Sequence, residues 1–575
     1  MKNLLVRLFP ILDWLTGYKK EDLKGDLFAG ITVGIMLIPQ GMAYALIAGL
    51  PPVYGLYASI VPQVIYAIFG TSRSLSVGPV AMDSLLVAAG VSLIAAEGTD
   101  TYIAFAILLA TFTGIFQILL GSFKLGFIAN LLSKPVISGF TSAAALIIGL
   151  SQLKYLLGVG IPSSNRFYEV VMNSFGQLGE THVLTLLTSV GGILVMLMLK
   201  KIHPKIPSSL VVVAIATIVV YLTGLNQLGV SIVKDIPKGL PTFRTPDISL
   251  GKYSELIPLA FTISVVAFME GFSIAKTIEA KRRGHKVLPN QELIGLGLAN
   301  FVGSLFQSYP VTGGFSRTAV NDQAGARTPL ASVISASIVA LTLLFLTPIF
   351  YYLPHAILAA IIIVAVSNLF DLAYAKKLWK HNKKEFSILL LTFLVTLNIG
   401  MVTGIVTGII SSILLFLYRA AYPHIAQLGR IKGHHEFRNV TRFSNLETWE
   451  GLVIIRIDAP LSFINIQGIK EYIQKLIHTN DKLKEIIVDA GPVSHLDASA
   501  SEGIHEILDL LNQKGVRLVF CDVIGPVRDT MKKNGLTKAI GKNNLFLSIN
   551  EALDNALTNT KDPFKKVTLQ TNIKG

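Results

Sequence analysis

The residues best placed to do chemistry lie in one stretch, Ser308 to Gly325, SYPVTGGFSRTAVNDQAG. It is polar and glycine-rich, yet apolar runs flank it, Leu293 to Phe306 and Leu330 to Phe350. Irregular backbone at membrane depth is tolerated only where it lines a cavity, so the interruption reads as a ligand site. Pro310 disfavours helix before it, which makes Tyr309-Pro310-Val311 a short extended piece, and Gly313-Gly314 then lets a helix begin at about Phe315. The free N–H groups of that half-helix, the positive end of its dipole and Arg317 one turn in together favour a small anion. The plainer reading is a polar loop between two spans. Against it stands a second interruption at Gly70 to Ser84, GTSRSLSVGPVAMDS, where Leu75-Ser76-Val77 is extended and Gly78-Pro79 starts a helix. Paired interruptions in two halves of a chain point to a transporter binding site, here two crossed half-helices.

Other polar residues fall inside apolar runs. Pro39 in the first span frees a backbone carbonyl, Gln40 offers an amide that can donate to an anion, and Tyr44 lies one turn later on the same face. A proline kink with Gln40 bonded to a neighbouring helix explains the same residues. Glu270 sits deep in the eighth span, where a carboxylate usually faces a cavity and serves a relay or ion site. The competing reading is a structural pair with Lys276 or Arg317. Asp83, one turn into the first half-helix, is a second candidate for cation coupling. His203 and His355 lie at span ends without a partner at ligand spacing and read as interfacial residues; the sequence shows no nucleophile elbow, phosphate loop or zinc motif.

The elements that must position these residues follow from composition. In 575 residues, 52% are hydrophobic and only 15% charged, too apolar for a soluble chain of this size. The fold class expected is a polytopic α-helical membrane protein. Fourteen apolar segments can be marked, seven between residues 27 and 221 and seven between 257 and 418. Several are shorter than the roughly 20 residues a spanning helix needs. Basic clusters test the count: Lys19, Lys20 and Lys24, Arg73, Lys124, the group at Lys200, Lys201 and Lys205, the group from Lys276 to Lys286 with Arg282 and Arg283, and the group from Lys376 to Lys384 all fall on the even-numbered, cytoplasmic side, while Lys234, Lys238 and Arg244 fall on the other side in a long loop, which weighs less in this rule. The net charge of +15 thus follows membrane topology rather than nucleic-acid binding. With seven spans per half the second half enters from the opposite side, a 7+7 inverted repeat suited to alternating access. The glycines Gly400, Gly404 and Gly408, and Gly30 with Gly34, read as close-packing positions. The N-terminal stretch is not a signal peptide; Leu4, Leu5, Leu8, Leu12 and Leu15 with Trp14 form either a helix in the headgroup region or an ordinary soluble one.

The domains expected are an N-terminal segment 1–25, a transport domain 26–420 with repeats at 26–225 and 255–420, a linker 421–450, an α/β domain 451–560 and a tail 561–575. In the α/β domain Gly451–Asp458, Glu485–Ala490 and Arg517–Val523 read as strands, and Gln467–His478, Ser499–Asn512 and Pro526–Asn534 as helices. Its single cysteine, Cys521, excludes an intramolecular disulfide and a cysteine-based metal cluster. Regulation or assembly suits this domain better than catalysis.

IPQGMAYALIAGLPPVYGLYAS from Ile38, GTSRSLSVGP from Gly70 and PVTGGFSRTAVNDQAGARTPLAS from Pro310 resemble the SulP sulfate permease family over nearly the whole chain. VIIRIDAPLSFIN from Val453 and DAGPVSHLDASASEG from Asp489 resemble the STAS domain that ends these transporters. The resemblance implies fourteen segments divided into core and gate domains, a homodimer, and anion transport by an elevator-like movement. It places Gln40, Tyr44, Val80, Gly314, Ser316 and Arg317 around the anion and puts Glu270 at the acidic position linked to cation coupling. One departure concerns the tail: Asp497 is followed by Ala498 where the STAS regulators of sigma-factor systems carry a phosphorylatable serine, although Ser499 is near.

The site expected is therefore Gln40, Tyr44, Val80, Gly314, Phe315, Ser316 and Arg317 for the anion, with Glu270 and Asp83 for the cation, and no cofactor or metal. The function expected is a proton-coupled sulfate symporter of the cell membrane, both termini cytoplasmic, with lipid and cytoplasmic STAS partners and no nucleic acid. A sodium-dependent transporter or exchanger of bicarbonate or another anion, an anion channel, and an anion-sensing receptor signalling through the STAS domain are the alternatives.

Overall fold

In lipid every backbone group must find a partner within its own segment, so long apolar stretches fold as helices. In the computed structural model of the chain, which describes residues 9–130, 133–160, 167–202, 207–247, 251, 253–281, 286–558 and 564–569, each expected apolar segment holds one. Spans 1 to 7 are Lys20–Ile47, Pro52–Phe69, Ala81–Val91, Asp100–Ser122, Lys134–Leu157, Val183–Ile202 and Ser208–Thr223. Spans 8 to 14 are Tyr253–Lys281, Pro289–Ser304, Phe315–Gln323, Leu330–Phe350, His355–Val366, Lys383–Asn398 and Met401–Ala421. Eight of the helices among the described residues are long and apolar enough to cross a membrane by themselves, while spans 3, 7 and 12 are shorter. Leu4, Leu5, Leu8, His203, Lys205, Arg282 and Arg283 lie outside the described residues.

The order of elements repeats between the halves, and so do packing partners. Span 4 packs on span 9 and span 11 on span 2; span 1 packs on span 11 and span 8 on span 4; span 5 packs on span 13 and span 12 on span 6. Spans 1–4 thereby gather with spans 8–11, and spans 5–7 with spans 12 and 13, against which Gly404 and Gly408 of span 14 also lie. The extended pieces ahead of the two half-helices cross and pair antiparallel, Val77 with Gly313 and Gly78 with Thr312. Gly78 and Thr312 each lie two residues before the N-cap of their half-helix, Val80 and Gly314, so equivalent positions of the two halves face one another.

Two buried carboxylates tie down neighbouring loops. Asp26 accepts from Arg327 N–H (2.6 Å), Thr328 N–H (2.9 Å) and the Thr328 hydroxyl (2.5 Å). Glu292 accepts from Thr71 N–H (2.6 Å), Ser72 N–H (3.1 Å) and the Tyr66 hydroxyl (2.5 Å). The lead-in residues Ile11–Leu15 form a short helix with Trp14 buried and Leu15 exposed, held to the loop after span 2 by Asp13 and Arg73 at 3.0 Å. Gly404 and Gly408 do permit close packing, since a Cβ on them would meet Thr396 and Thr392. Gly400 does not; nothing stands near its missing side chain, and its φ of +142° instead allows the break between spans 13 and 14.

Residues 413–575 form a separate compact unit. Its core is a parallel set of strands, Leu452–Ile457, Glu485–Asp489, Arg517–Cys521 and Leu545–Phe546, in that order. Alternate side chains serve opposite faces: Val453 and Ile455 pack with Ile469, Ile473 and Ile504, whereas Leu452 and Ile454 pack with Ala552 and Leu553. The three strands and three helices read from the sequence are present. The expected linker 421–450 is not one, because Ile425–Ile431, Phe437–Asn439 and Leu446–Trp449 extend the sheet with antiparallel strands. Nor is 561–575 wholly a tail, since Lys566–Leu569 pairs with Leu446–Trp449. These strands are short and mix polar with apolar residues, which is why composition alone suggests loop.

Candidate anion site between two half-helices

Each half-helix begins without a side-chain cap. Val80 (φ −133°) and Gly314 (φ −92°) are extended N-caps, and neither side chain accepts from the first turn. The N–H groups there are left for another acceptor. Main-chain and side-chain bonds lace the crossed segments together: Gly314 N–H donates to Ser76 O (3.0 Å), Ser76 N–H to the Thr318 hydroxyl (3.1 Å) and the Asn321 amide to Ser74 O (2.9 Å).

Arg317 is 2% exposed, and its Nη1 donates to Pro79 O of the opposite half at 2.7 Å. Its Nε and Nη2 are buried with no partner among the described residues. The guanidinium lies within Coulombic reach of Tyr44, Glu270 and Tyr309. A Cβ on Gly314 would stand 2.7 Å from Arg317 Cζ and Nη2, so only glycine leaves the guanidinium its place. Gln40 is buried with its Oε1 unpartnered, and Glu270 has an unpartnered Oε2. Lys276, weighed as a structural partner of Glu270, bonds Glu279 instead at 2.7 Å. Asp83 is fully buried, and neither of its carboxylate oxygens has a partner among the described residues. Val80 is buried, while Phe315 and Ser316 are exposed. The arrangement brings two helix N-termini, a guanidinium with spare donors and two carboxylates to one place. Such a set can bind an oxyanion and neutralise it by taking up cations.

Residues the sequence reading passed over hold this geometry. Asn300 of span 9 donates to Val311 O (3.0 Å) and accepts from Val311 N–H (2.8 Å), doing for the extended piece what a neighbouring strand would do. It also donates to Gln117 of span 4 at 3.1 Å, which in turn donates to Ser264 O at 3.1 Å. The Tyr309 and Ser84 hydroxyls bond across the halves at 3.2 Å, and Thr312 donates to Ala267 O of span 8. A lone amide within an apolar run was the available signal for Asn300 and Gln117. His355 stacks on Tyr155 with ring centroids 5.7 Å apart.

A cavity of about 410 Å³ lies between the two sets of spans, lined by Leu46, Leu85, Ala89, Lys154, Tyr155 and Thr396 among others. Its lining reaches Leu85, two residues past Asp83, but does not include Gln40, Tyr44 or Arg317.

In the tail, Asp497 caps the helix Ala498–Gln513 by accepting from Ala500 N–H at 2.7 Å, and also accepts from Phe463 N–H at 2.8 Å. Ser499 beside it is exposed. Asp489, Cys521 and Asp522 bring possible ligand atoms within 4.8 Å of one another. Burial first, and then the charges of Asp489 and Asp522, push the Cys521 thiol up, which keeps it protonated and a poor ligand.

Residues 23–392 match the Sulfate permease family and residues 444–552 the STAS domain. The chain is 39% identical to the chloroplastic sulfate transporter 4.1 of Arabidopsis thaliana over 95% of its own length and 82% of that protein's. It is 32% identical to a probable sulfate transporter of Mycobacterium tuberculosis, covering 93% and 96%. Murine Solute Carrier 26 family member A9, an anion transporter solved in the inward-facing state, superposes with a TM-score of 0.88 at 26% identity, covering 96% and 94%. The transmembrane domain of a cyanobacterium bicarbonate transporter, BicA, shares the fold with a TM-score of 0.59 at 23% identity, covering 69% of this chain and 98% of its own. Crossed half-helices, spare anion donors at their ends and an α/β domain later in the chain agree with these likenesses: the chain belongs to the sulfate permease family, a membrane transport protein and not an enzyme.

Proposed function

We propose that the chain is a proton-coupled sulfate symporter working by alternating access. The observation that carries this reading is the pair of buried, unpartnered Arg317 nitrogens beside two uncapped helix N-termini. Donors left over in a dry site call for an acceptor from outside the protein, and a tetrahedral oxyanion has oxygens enough for all of them. Sulfate is supported by the relatives named as sulfate transporters. Coupling is supported by Glu270, whose Oε2 is unpartnered and which feels the charge of Arg317. A proton on Glu270 lets the dianion enter without facing a second negative charge.

Alternating access is supported by the division of the spans into two packed sets with a cavity between them that approaches the first half-helix. The lysine clusters support a cytoplasmic location for both termini in the cell membrane.

Uptake of labelled sulfate into proteoliposomes, at several pH values with and without sodium, tests the reading against Glu270→Gln. Uphill uptake that follows the proton gradient and collapses in the variant is the expected result. Uptake driven by sodium alone, or a failure of sulfate to enter or to compete with other anions, overturns it.

A further inference from the structure

We propose that Asp83 is a second proton-carrying carboxylate of the anion site, so that two protons cross with each sulfate. This rests on the symport reading above and adds to it a stoichiometry and the residue that sets it.

The position of Asp83 is the first ground. Val80 and Gly314 are the equivalent N-caps, so Asp83 and Arg317, each third after its cap, occupy the same place on the two half-helices. One half presents a cation there and the other a carboxylic acid. Arg317 is anchored by Pro79 O, but both oxygens of Asp83 are fully buried and have no partner among the described residues. A carboxylate built only for structure would accept hydrogen bonds, as Asp26 and Glu292 do in the same domain.

The charged surroundings are the second ground. The charge that acts on Asp83 is that of another carboxylate, Glu270 of span 8. The guanidinium acts on Glu270, Tyr44 and Tyr309. Span 1 contributes Tyr44, and the extended piece before span 10 contributes Tyr309, which feels Asp83. In spans 4 and 5, which also pack on this half-helix, Asp100, Tyr102 and Lys134 stand at the first turns. Among the described residues the charge set against Asp83 is thus that of a carboxylate, with phenols beside it, while Lys154 of span 5 lies along the cavity that reaches Leu85.

Charge closes the count. Arg317 supplies one positive charge, Asp83 and Glu270 ionised supply two negative ones, and sulfate adds two more. The helix N-termini offset roughly half a charge each. With one proton the site keeps about one uncompensated negative charge at membrane depth, and with two it is close to neutral. Each carboxylate takes one proton at an oxygen where the site faces the acidic side and returns it on the other. No covalent bond changes, and sulfate with two protons carries no net charge across.

The full-length protein in proteoliposomes, with membrane potential clamped at zero, reads the number directly. A pH difference of one unit sustains about a hundred-fold sulfate gradient for two protons and about ten-fold for one. The natural protein is expected to reach about a hundred-fold and Asp83→Asn about ten-fold. A ten-fold limit in the natural protein, or an unchanged limit in the variant, overturns the proposal while leaving symport standing. Uptake that ignores the pH gradient in the natural protein sinks the symport reading itself. Should Asp83→Asn bind sulfate without transporting it, binding in detergent decides: the slope of log Kd against pH falls from two towards one if Asp83 takes the second proton, and stays at two if it does not. Asp83→Asn that binds no sulfate at any pH also overturns the proposal, because neutral asparagine mimics the protonated acid.

Discussion

A single hydrogen atom in place of a methyl group decides whether Arg317 can stand where it does. Alanine at 314 would fit the backbone, whose φ is −92°, so the half-helix should still form. Its Cβ would press on the guanidinium at 2.7 Å. Gly314→Ala is therefore expected to weaken sulfate binding at least about ten-fold, roughly 1.4 kcal/mol, while the melting temperature in detergent stays within a few degrees. Binding of labelled sulfate to the purified protein and a thermal scan on the same sample check both halves of this statement. Arg317 and Glu270 were legible in the sequence because ionised side chains are improbable at membrane depth unless they face a site. Tyr309 and Asn300 were not, because a phenol or an amide within an apolar run looks the same whether it meets a ligand, a neighbouring helix or a bare strand.

Among the elements, the extended piece before span 10 depends on Asn300 for what a flanking strand would otherwise give Val311. Removing one partner leaves a buried N–H and C=O without a bond, about 1–3 kcal/mol each. Asn300→Ala is expected to lower the unfolding temperature in detergent and to loosen sulfate binding with it, whereas a change to Gln117, one bond further out, should do less. In the tail, Glu447 of the strand Leu446–Trp449, which lies between Ile425–Ile431 and Lys566–Leu569, is buried and meets Arg430 at 3.0 Å and Lys566 at 2.5 Å. Burial alone would raise its carboxyl, but the bonds from Lys566 and Arg430 outweigh it and hold the group below the usual carboxylate range. A depressed folded value means stability that is present at neutral pH and lost as pH falls through that value. Glu447→Gln should therefore speed hydrogen exchange of the amides in Leu446–Trp449 and Lys566–Leu569 at neutral pH, by the equivalent of about 1–3 kcal/mol, with the gap from the natural protein closing in acid. The parallel strands of this domain were visible as unbroken apolar runs. Its antiparallel strands hid in residues 421–450, since three short strands that mix polar with apolar side chains leave no unbroken apolar run.

At the scale of the molecule, the count of fourteen spans and the pairing of the halves could be read from hydropathy and charge, while the division into two packed sets needed contacts that no linear pattern records. That division gives a further prediction. The cavity of about 410 Å³ between the sets can close only if its walls approach, and Ala89 stands in one wall. Ala89→Trp should hold the sets apart, cutting sulfate uptake more than about ten-fold and leaving sulfate affinity in detergent within about two-fold. Equal losses in both would mean that the cavity belongs to the site and not to the movement. The proposed site is built largely from main-chain N–H groups and one arginine, and these would see oxygen atoms and charge rather than the element at the centre of the ion. Selenate and chromate, tetrahedral dianions close to sulfate in size, should pass as the nutrient does. A cell that depends on this chain then has little room to exclude those poisons by changing a side chain, and its defence against them must lie in how much of the protein it makes.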